Sequence, residues 1–476
     1  MNAQIRTVGT VSALMVLALL LNLTYLNLVR EDSLQANPYN IRAREAEFDI
    51  HRGQILAGNV VIADSIESDD GSIFRYQRVY TDGPLYSPIT GFYSYIYGSS
   101  RIENSFNREL VGSSSSQWLQ RLIDTISGRT PQGASVVTTI SPRLQEAARD
   151  AMQGYSGAIV AMEPHTGAIL ALVTSPSYDP SRLASHNLTD VRDAWQELTT
   201  DPRQPMADRA TREIFPPGST FKLVVAAAAL ESGYTPDTMI DTPSRVQLPG
   251  TEVWLPNSTD CGNTQVTLAR ALQLSCNTSF ANIGHDLGGN ALRLQAEKFG
   301  FNAEYLPELG AVASNFPTQL DEAQVMLSSI GQFDVAATPL QMAMVASTFV
   351  NNGQLSEPYL VQEVRAPDLS ILYEHTDHSS LVVSPSTAAS MREMMVAAVT
   401  NGTGTGAQIP GVIVGGKSGT AESDPDNPNY AWFVSFALNP DVVVVVFLQR
   451  HDDTPDDLWG GGDAAPVARK VLQATR

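Results

Sequence analysis

Lysine is scarce in this chain: 476 residues contain four, at Lys222, Lys298, Lys417 and Lys470. The other basic residues are arginines, so lysine is not serving as routine surface charge, and each one needs its own account. Basic charge is short altogether. The chain has 30 lysines and arginines against 50 aspartates and glutamates, a formal net charge of −20. A surface of that sign repels polyanions, which excludes nucleic acid and anionic lipid as broad-face partners. Cysteine is nearly absent, with Cys261 and Cys276 standing 15 residues apart. Outside the cytoplasm they could pair, and such a loop would stabilise the fold by about 3 kcal/mol in the chain-entropy model. Two unrelated buried thiols are the alternative. His375 and His378 form a close pair in EHTDHSS with no further ligands beside them, so no metal site is expected. Apolar residues are not lacking. At 43% hydrophobic and 17% charged, the chain can bury a core, which excludes general disorder. Its length suits two or three domains.

The run from Val8 to Val29 carries no charge. At 1.5 Å per residue it can cross a hydrocarbon core of about 30 Å. Arg6 precedes it, and Arg30, Glu31 and Asp32 follow. It ends in YLNLV without a small-x-small cleavage site, which predicts an uncleaved anchor rather than a removed signal. The positive-inside rule places residues 31 onward outside, with Arg30 voting against. The expected organisation is a cytoplasmic stub at 1–7, the anchor at 8–29, a small mostly β domain at 30–134, and a large domain at 135–476. The small domain has short apolar runs and an aromatic stretch, LYSPITGFYSYIYG, and nothing in it reads as catalytic chemistry.

The large domain begins with a β-branched run, Val136 to Ile140, then Ser141 and Pro142 as a helix start. Residues 157–180 read as a buried hairpin around EPHTG, and AWFVSFAL and DVVVVVFLQ as two late buried strands. A helix capped by Asp463 is expected to end the chain. The middle is helical, with one clear helix from Thr338-Pro339 to a stop at Gly353. Strands first, helices between and strands last predict an α+β fold: an antiparallel sheet closed by both ends of the domain, flanked by helices, with a helical lobe beside it.

Three short stretches carry the chemistry. In FPPGSTFK, Pro216, Pro217 and Gly218 cannot continue a helix, so a helix is expected from about Ser219. LVVAAAAL follows and is apolar on every face, which predicts a buried helix. Ser219 then sits at a helix N-terminus, with Lys222 one turn on. A serine needs an adjacent base to attack, and a lysine can be that base if burial or a second cation lowers its pKa. The bland reading is an N-cap followed by a snorkelling lysine. Ser275-Cys276-Asn277 lies at a break between two expected helices, although Ser-x-Asn also occurs at 105–107 and 185–187. Gly416-Lys417-Ser418-Gly419-Thr420 precedes a strand. There a cation and two hydroxyls could hold a carboxylate, with Gly419 leaving room for a ligand. The alternative is a tight hairpin with a surface lysine.

In this order, Ser-x-x-Lys, Ser-x-Asn and Lys-Ser-Gly resemble the motifs of the active-site serine penicillin-binding proteins and β-lactamases. The gaps, 275 − 219 = 56 and 417 − 275 = 142, look like a class B penicillin-binding protein. GAIVAMEPHTGAILALV, PPGSTFK, TPLQMA and KSGTAE resemble that transpeptidase domain over about 135–476, and RGQI after an anchor is similar to class B chains. LYSPITGFYS and the cysteine inside Ser-Cys-Asn look like the short penicillin-binding protein A branch. Ser418 stands where many members have threonine.

The resemblance implies a peptidoglycan D,D-transpeptidase without metal or organic cofactor. Ser219 would attack the D-Ala-D-Ala amide of a stem peptide, and neutral Lys222 would take its proton. Ser275 would relay a proton to the departing D-alanine with help from Lys417. Asn277 would hold the peptide amide. Ser418 and Thr420 would bind the terminal carboxylate beside Gly419, and the N–H groups of Ser219 and Thr420 would form the oxyanion hole. β-Lactams would acylate Ser219. The N-terminal domain would serve dimerisation or docking, with a membrane-embedded glycan polymerase and division proteins as partners. The catalytic domain would lie on the extracytoplasmic side of the cell membrane. A D,D-carboxypeptidase would share the same motifs. A β-lactamase would not need the anchor and the added domain, and a β-lactam sensor would need a cytoplasmic output domain. A catalytically silent scaffold would not keep every motif side chain.

Overall fold

The computed structural model describes residues 2–30, 41–114, 117, 132–262, 264–421, 430–450 and 458–476. Glu31, Asp32 and Glu422, the last closing KSGTAE, lie outside the described residues. In chain order, the elements that frame the site begin with α1 (Asn2–Leu28), β1 (Ile55–Ala57), β2 (Val60–Glu67), β3 (Tyr76–Tyr80), β4 (Ser135–Thr138), β5 (Ser156–Met162) and β6 (Ile169–Ser175). Then come α2 (Lys222–Glu231), β7 (Arg245–Gln247), β8 (Trp254–Pro256), α3 (Leu268–Leu274), α4 (Asn277–Leu287) and α5 (Pro339–Val350). The last are β9 (Val361–Arg365), β10 (Ile371–Glu374), α6 (Pro385–Asn401), β11 (Val414–Ala421), β12 (Tyr430–Ala437), β13 (Val442–Gln449) and α7 (Ala465–Gln473). Within α1, the 23 residues Gln4–Leu26 are apolar and unburied, long enough to cross a membrane.

Five strands in the order β11-β12-β13-β5-β6 form an antiparallel sheet. The early hairpin and the late strand pair thus meet in one layer. Every residue of β5 is buried, because both faces of the sheet are covered. Its side chains alternate between two cores. Ala158, Val160 and Met162 join the core that holds α2 and α5, while Ile159 and Ala161 join the core of α7 and the helix Pro142–Ala151. Helix α5 is buried throughout; Thr338 caps it by accepting from Gln341 N, with Pro339 following. Ser141 does the same for the helix Pro142–Ala151.

A second sheet runs β10-β9-β4-β1-β2-β3, with β1 and β4 parallel and the remaining pairs antiparallel. It takes strands from both sides of residue 134, so hydrogen bonding is continuous across that point. The N-terminal region also carries helices, at Gly83–Thr90, Arg101–Ser105 and Asn107–Leu110. LYSPIT is helical because Asp82, in the left-handed region at φ 44°, turns the chain and a proline follows at the helix start. Leu85, Tyr86 and Ile89 are then buried on the core side. At the centre of this region Glu103 accepts from Arg52 Nε and Arg78 Nε, both at 2.6 Å, and all three side chains are buried.

Two expected helix starts move. Asp463 does not cap α7. A wide turn, Gly460–Ala464, precedes that helix, and Asp463 Oδ2 accepts from Trp459 N at 2.8 Å. Glycine forces this route: a Cβ at Gly460 would stand 2.4 Å from Gly419 O. Ser219 likewise falls outside α2, in a 3-10 turn, Gly218–Phe221, with the α-helix starting at Lys222. Two successive prolines leave that entry short of N–H donors, and Thr220 Oγ1 closes the turn on Pro217 O at 2.7 Å.

Candidate active site

The turn bearing Ser219 is wedged between the large sheet and the helical lobe, and glycines make the wedge fit. Gly218, at φ 52°, donates its N–H to Gly331 O at 3.0 Å, and a Cβ there would lie 2.7 Å from Thr420 O. A Cβ on Gly331 would stand 2.1 Å from Gly218 O. Gly419 faces the same turn: a Cβ would meet Thr220 Cγ2 at 2.8 Å and Pro217 O at 2.9 Å. The space at Gly419 is therefore filled by the protein's own turn, not kept for a ligand. Trp432 on β12 donates its indole N–H to Pro216 O at 3.0 Å. Ser219 is half-buried, and its hydroxyl has no hydrogen-bond partner among the described residues.

Lys222 and Lys417 are both fully buried, and they converge on Ser275. Lys222 Nζ donates to Ser275 O at 2.8 Å and to Asn277 Oδ1 at 2.7 Å, with Ser275 Oγ at 3.4 Å. Lys417 Nζ donates to Ser275 Oγ at 2.8 Å and to Ser418 O at 2.7 Å. Burial, and then the charge of Lys417, hold Lys222 well below the usual lysine value. Burial alone brings Lys417 down to about 7. A neutral amine keeps two N–H bonds and one lone pair. With Ser275 O and Asn277 Oδ1 taking the two N–H bonds of Lys222, its lone pair is left to accept a proton.

Ser275 is the C-cap of α3 and holds φ 64°, the left-handed region, unusual without glycine. Neighbours hold it there. Cys276 is disulfide-bonded to Cys261, and Thr259 Oγ1 donates to Leu274 O at 2.7 Å. Asn277 Nδ2 donates to Pro256 O at 3.1 Å and Ser258 Oγ at 3.2 Å, and Asn257 bonds Thr278 through N and Oγ1. The loop 256–261 thus braces the second motif along its length.

The third motif lies on β11, an edge strand of its sheet, with its face at Gly419 against the turn of Ser219. Ser418 Oγ donates to Thr403 Oγ1 at 2.6 Å, and Thr420 Oγ1 accepts from Gly460 N at 3.4 Å. Hydrogen bonds bring Lys222, Ser275, Asn277 and Lys417 together, and the turn of Ser219 packs against β11 at Gly419 and Thr420, beside Ser418. His375 lies elsewhere, stacked on Tyr359 at 3.5 Å, and no metal-binding group of three ligands occurs among the described residues. Sequence reasoning missed Trp432, Gly331, Gly460, Thr403 and the bracing Asn257. Trp432 alone left a signal, since an indole N–H in a buried strand must find an acceptor.

The chain has relatives among known proteins. Residues 157–473 match the penicillin-binding protein transpeptidase domain, and residues 52–136 match the penicillin-binding protein A dimerisation domain. The chain is 40% identical to the peptidoglycan D,D-transpeptidase PbpA of Mycolicibacterium smegmatis, with 100% of this chain and 99% of that protein covered. It is 41% identical to the PbpA of Mycobacterium tuberculosis over the same shares. The solved structure of penicillin-binding protein A from M. tuberculosis, as its ceftriaxone acyl-enzyme complex, superposes with a TM-score of 0.86 at 41% identity, covering 90% of this chain and 99% of that one.

Proposed function

The chain belongs to the penicillin-binding protein transpeptidase family, and we propose that it cross-links peptidoglycan stem peptides through an acyl-enzyme on Ser219. One observation carries the assignment of roles: two buried lysines converge on Ser275, and both N–H bonds of neutral Lys222 are taken by oxygen acceptors. Ser219 Oγ attacks the carbonyl between the two D-alanines while the Lys222 lone pair takes its proton. The tetrahedral oxyanion lies between the backbone N–H groups of Ser219 and Thr420, in a cleft dry enough to strengthen both donors. Ser275, bridged to both lysines, returns a proton to the departing D-alanine nitrogen. The C–N bond breaks and the acyl group stays on Ser219. Lys417, Ser418 and Thr420 hold the terminal carboxylate, and the open edge of β11 accepts the peptide as an added strand. An amine of a second stem then attacks the ester and restores the serine.

β-Lactams acylate Ser219 by the same attack. Helix α1 anchors the chain in the cell membrane, with the catalytic domain on the extracytoplasmic side. The region 30–134 serves self-association and docking to a glycan polymerase and division proteins. Intact mass after benzylpenicillin tests the core of this reading. A stable gain of one penicillin, mapped to the Ser219 peptide and absent from Ser219→Ala protein, is expected. A labelled Ser219→Ala protein would overturn it. Product analysis with and without an acceptor amine separates transfer from hydrolysis: the transfer product is expected with the amine present.

A further inference from the structure

The hairpin of β7 and β8 stands beside this cleft with one face packed and the other bare. Strands of period two expose alternate residues. Val246 and Leu255 point inward and pack with buried Leu248 on Ala281 of α4 and on Ala323 and Met326 of the helix Glu322–Ser328. The opposite face presents Arg245, Gln247, Trp254 and Pro256, all exposed. Their register pairs Arg245 with Pro256 and Gln247 with Trp254. The hairpin is tied to the site, because Pro256 O accepts from Asn277, whose Oδ1 in turn accepts from Lys222. Its packed side rests on α4, the helix that begins with Asn277.

Arg245 lies over the indole of Trp254, with the guanidinium carbon 4.6 Å from the ring centroid. No carboxylate pairs with it among the described residues. Glu252 sits in the turn, at the other end of the hairpin from the Arg245–Pro256 pair. A guanidinium held over a ring by its carbon leaves N–H donors for a carboxylate, which it can take bidentately. On a chain of net charge −20, an ordered and unpaired cation at the mouth of the cleft is a local exception to the repelling surface.

We propose that Arg245 and Trp254 form a subsite for a carboxylate of the stem peptide, upstream of the bond that is cut. This rests on the reading of Ser219 as the nucleophile. The leaving D-alanine occupies the Lys417 end of the cleft, so the retained part of the peptide extends past Asn277, toward Pro256 and Arg245. The γ-linked glutamate of a stem has a free α-carboxylate on that retained part.

The test is peptide binding by calorimetry on the full chain carrying Ser219→Ala, so that no chemistry is needed. The probes are N-acetyl-L-Ala-γ-D-Glu-L-Lys-D-Ala-D-Ala and the same peptide with the glutamate α-carboxyl converted to carboxamide. Adding Arg245→Gln is expected to weaken binding of the free-acid peptide about tenfold, the loss typical of a charge-assisted pair. Arg245→Lys recovers part of it, and Trp254→Leu weakens it by less. The carboxamide peptide shows none of these differences. Equal losses for both peptides would mean a merely structural arginine and would overturn the proposal, as would no loss for either. Benzylpenicillin labelling of the chain with Ser219 intact is a separate reading, so a failure of the nucleophile assignment and a failure of the subsite stay distinguishable.

Discussion

This molecule buries cations in two places and treats them in opposite ways. In the N-terminal region, Arg52 and Arg78 share the carboxylate of Glu103. Arginine does not lose its proton in a protein, so burying it demands a counter-charge. Burial opposes the ionised Glu103, and the two guanidiniums overcome that and hold its carboxyl below the usual value. In the cleft, Lys222 and Lys417 have oxygen partners but no carboxylate among their hydrogen bonds. A lysine can answer burial by giving up its proton. The first cluster holds a fold together, and the second holds a base ready. The difference lies in residue choice, and it accounts for two of the four lysines in an arginine-rich chain.

Four experiments would break or sharpen that contrast. The largest effect is expected from Lys222→Arg, which puts a permanent cation in place of the neutral base. Acylation by benzylpenicillin should fall about a thousandfold or more. A near-native second-order rate would mean that Lys222 is not the base. Glu103→Gln leaves two buried guanidiniums short of a counter-charge. It should destabilise the chain by about 3–5 kcal/mol in urea unfolding, while the folded fraction still acylates. A loss below about 0.5 kcal/mol would show that the arginines are not desolvated as the geometry requires. Gly419→Ala pushes a methyl group against Thr220 and Pro217. It should cost about 1–3 kcal/mol and, by displacing the nucleophile's turn, slow acylation about a hundredfold. Unchanged acylation would mean that the turn can shift without harm.

The last effect is in the pH dependence of stability. Between about 7 and its ordinary 10.5, Lys417 is protonated in the unfolded chain and neutral in the folded one. Its contribution therefore makes stability rise with pH across that window, by at most about 1.4 kcal/mol per pH unit. Lys417→Met should flatten that slope. Glu103 acts at the other end. Its folded pKa lies below the usual 4.5, so its contribution is present above that value and is lost as pH falls through the folded pKa. Urea midpoints measured from acid to alkaline pH would reveal both, and an unaltered alkaline slope in Lys417→Met would mean that Lys417 is charged in the folded cleft.

Local signals carried far in the sequence. AWFVSFAL and DVVVVVFLQ are uninterrupted apolar runs because both sheet faces are covered, and the caps at Ser141 and Thr338 are where side-chain chemistry puts them. What misled were positions whose partner is remote. Gly419 read as space for a ligand, but the space belongs to Thr220, 199 residues earlier. Asp463 read as a cap, but glycines 460–462 take a wider path beneath β11. The ion cluster at Glu103 left no mark, since arginine and glutamate ordinarily sit in water.

By itself, the sequence determined the apolar N-terminal helix, the strand runs, the helix caps, and the identity and order of three motifs. It also contained the hint that rare lysines have work to do. Only the tertiary structure decided that Lys222 and Lys417, 53 and 142 residues away, both close on Ser275. It alone decided that the Ser418 hydroxyl turns to Thr403 and that the 256–261 loop braces Asn277. The reason is physical. Hydrophobic period and capping report the environment a residue meets within a few neighbours, whereas a lysine's pKa and a glycine's empty volume are set by whichever distant layer packs against them.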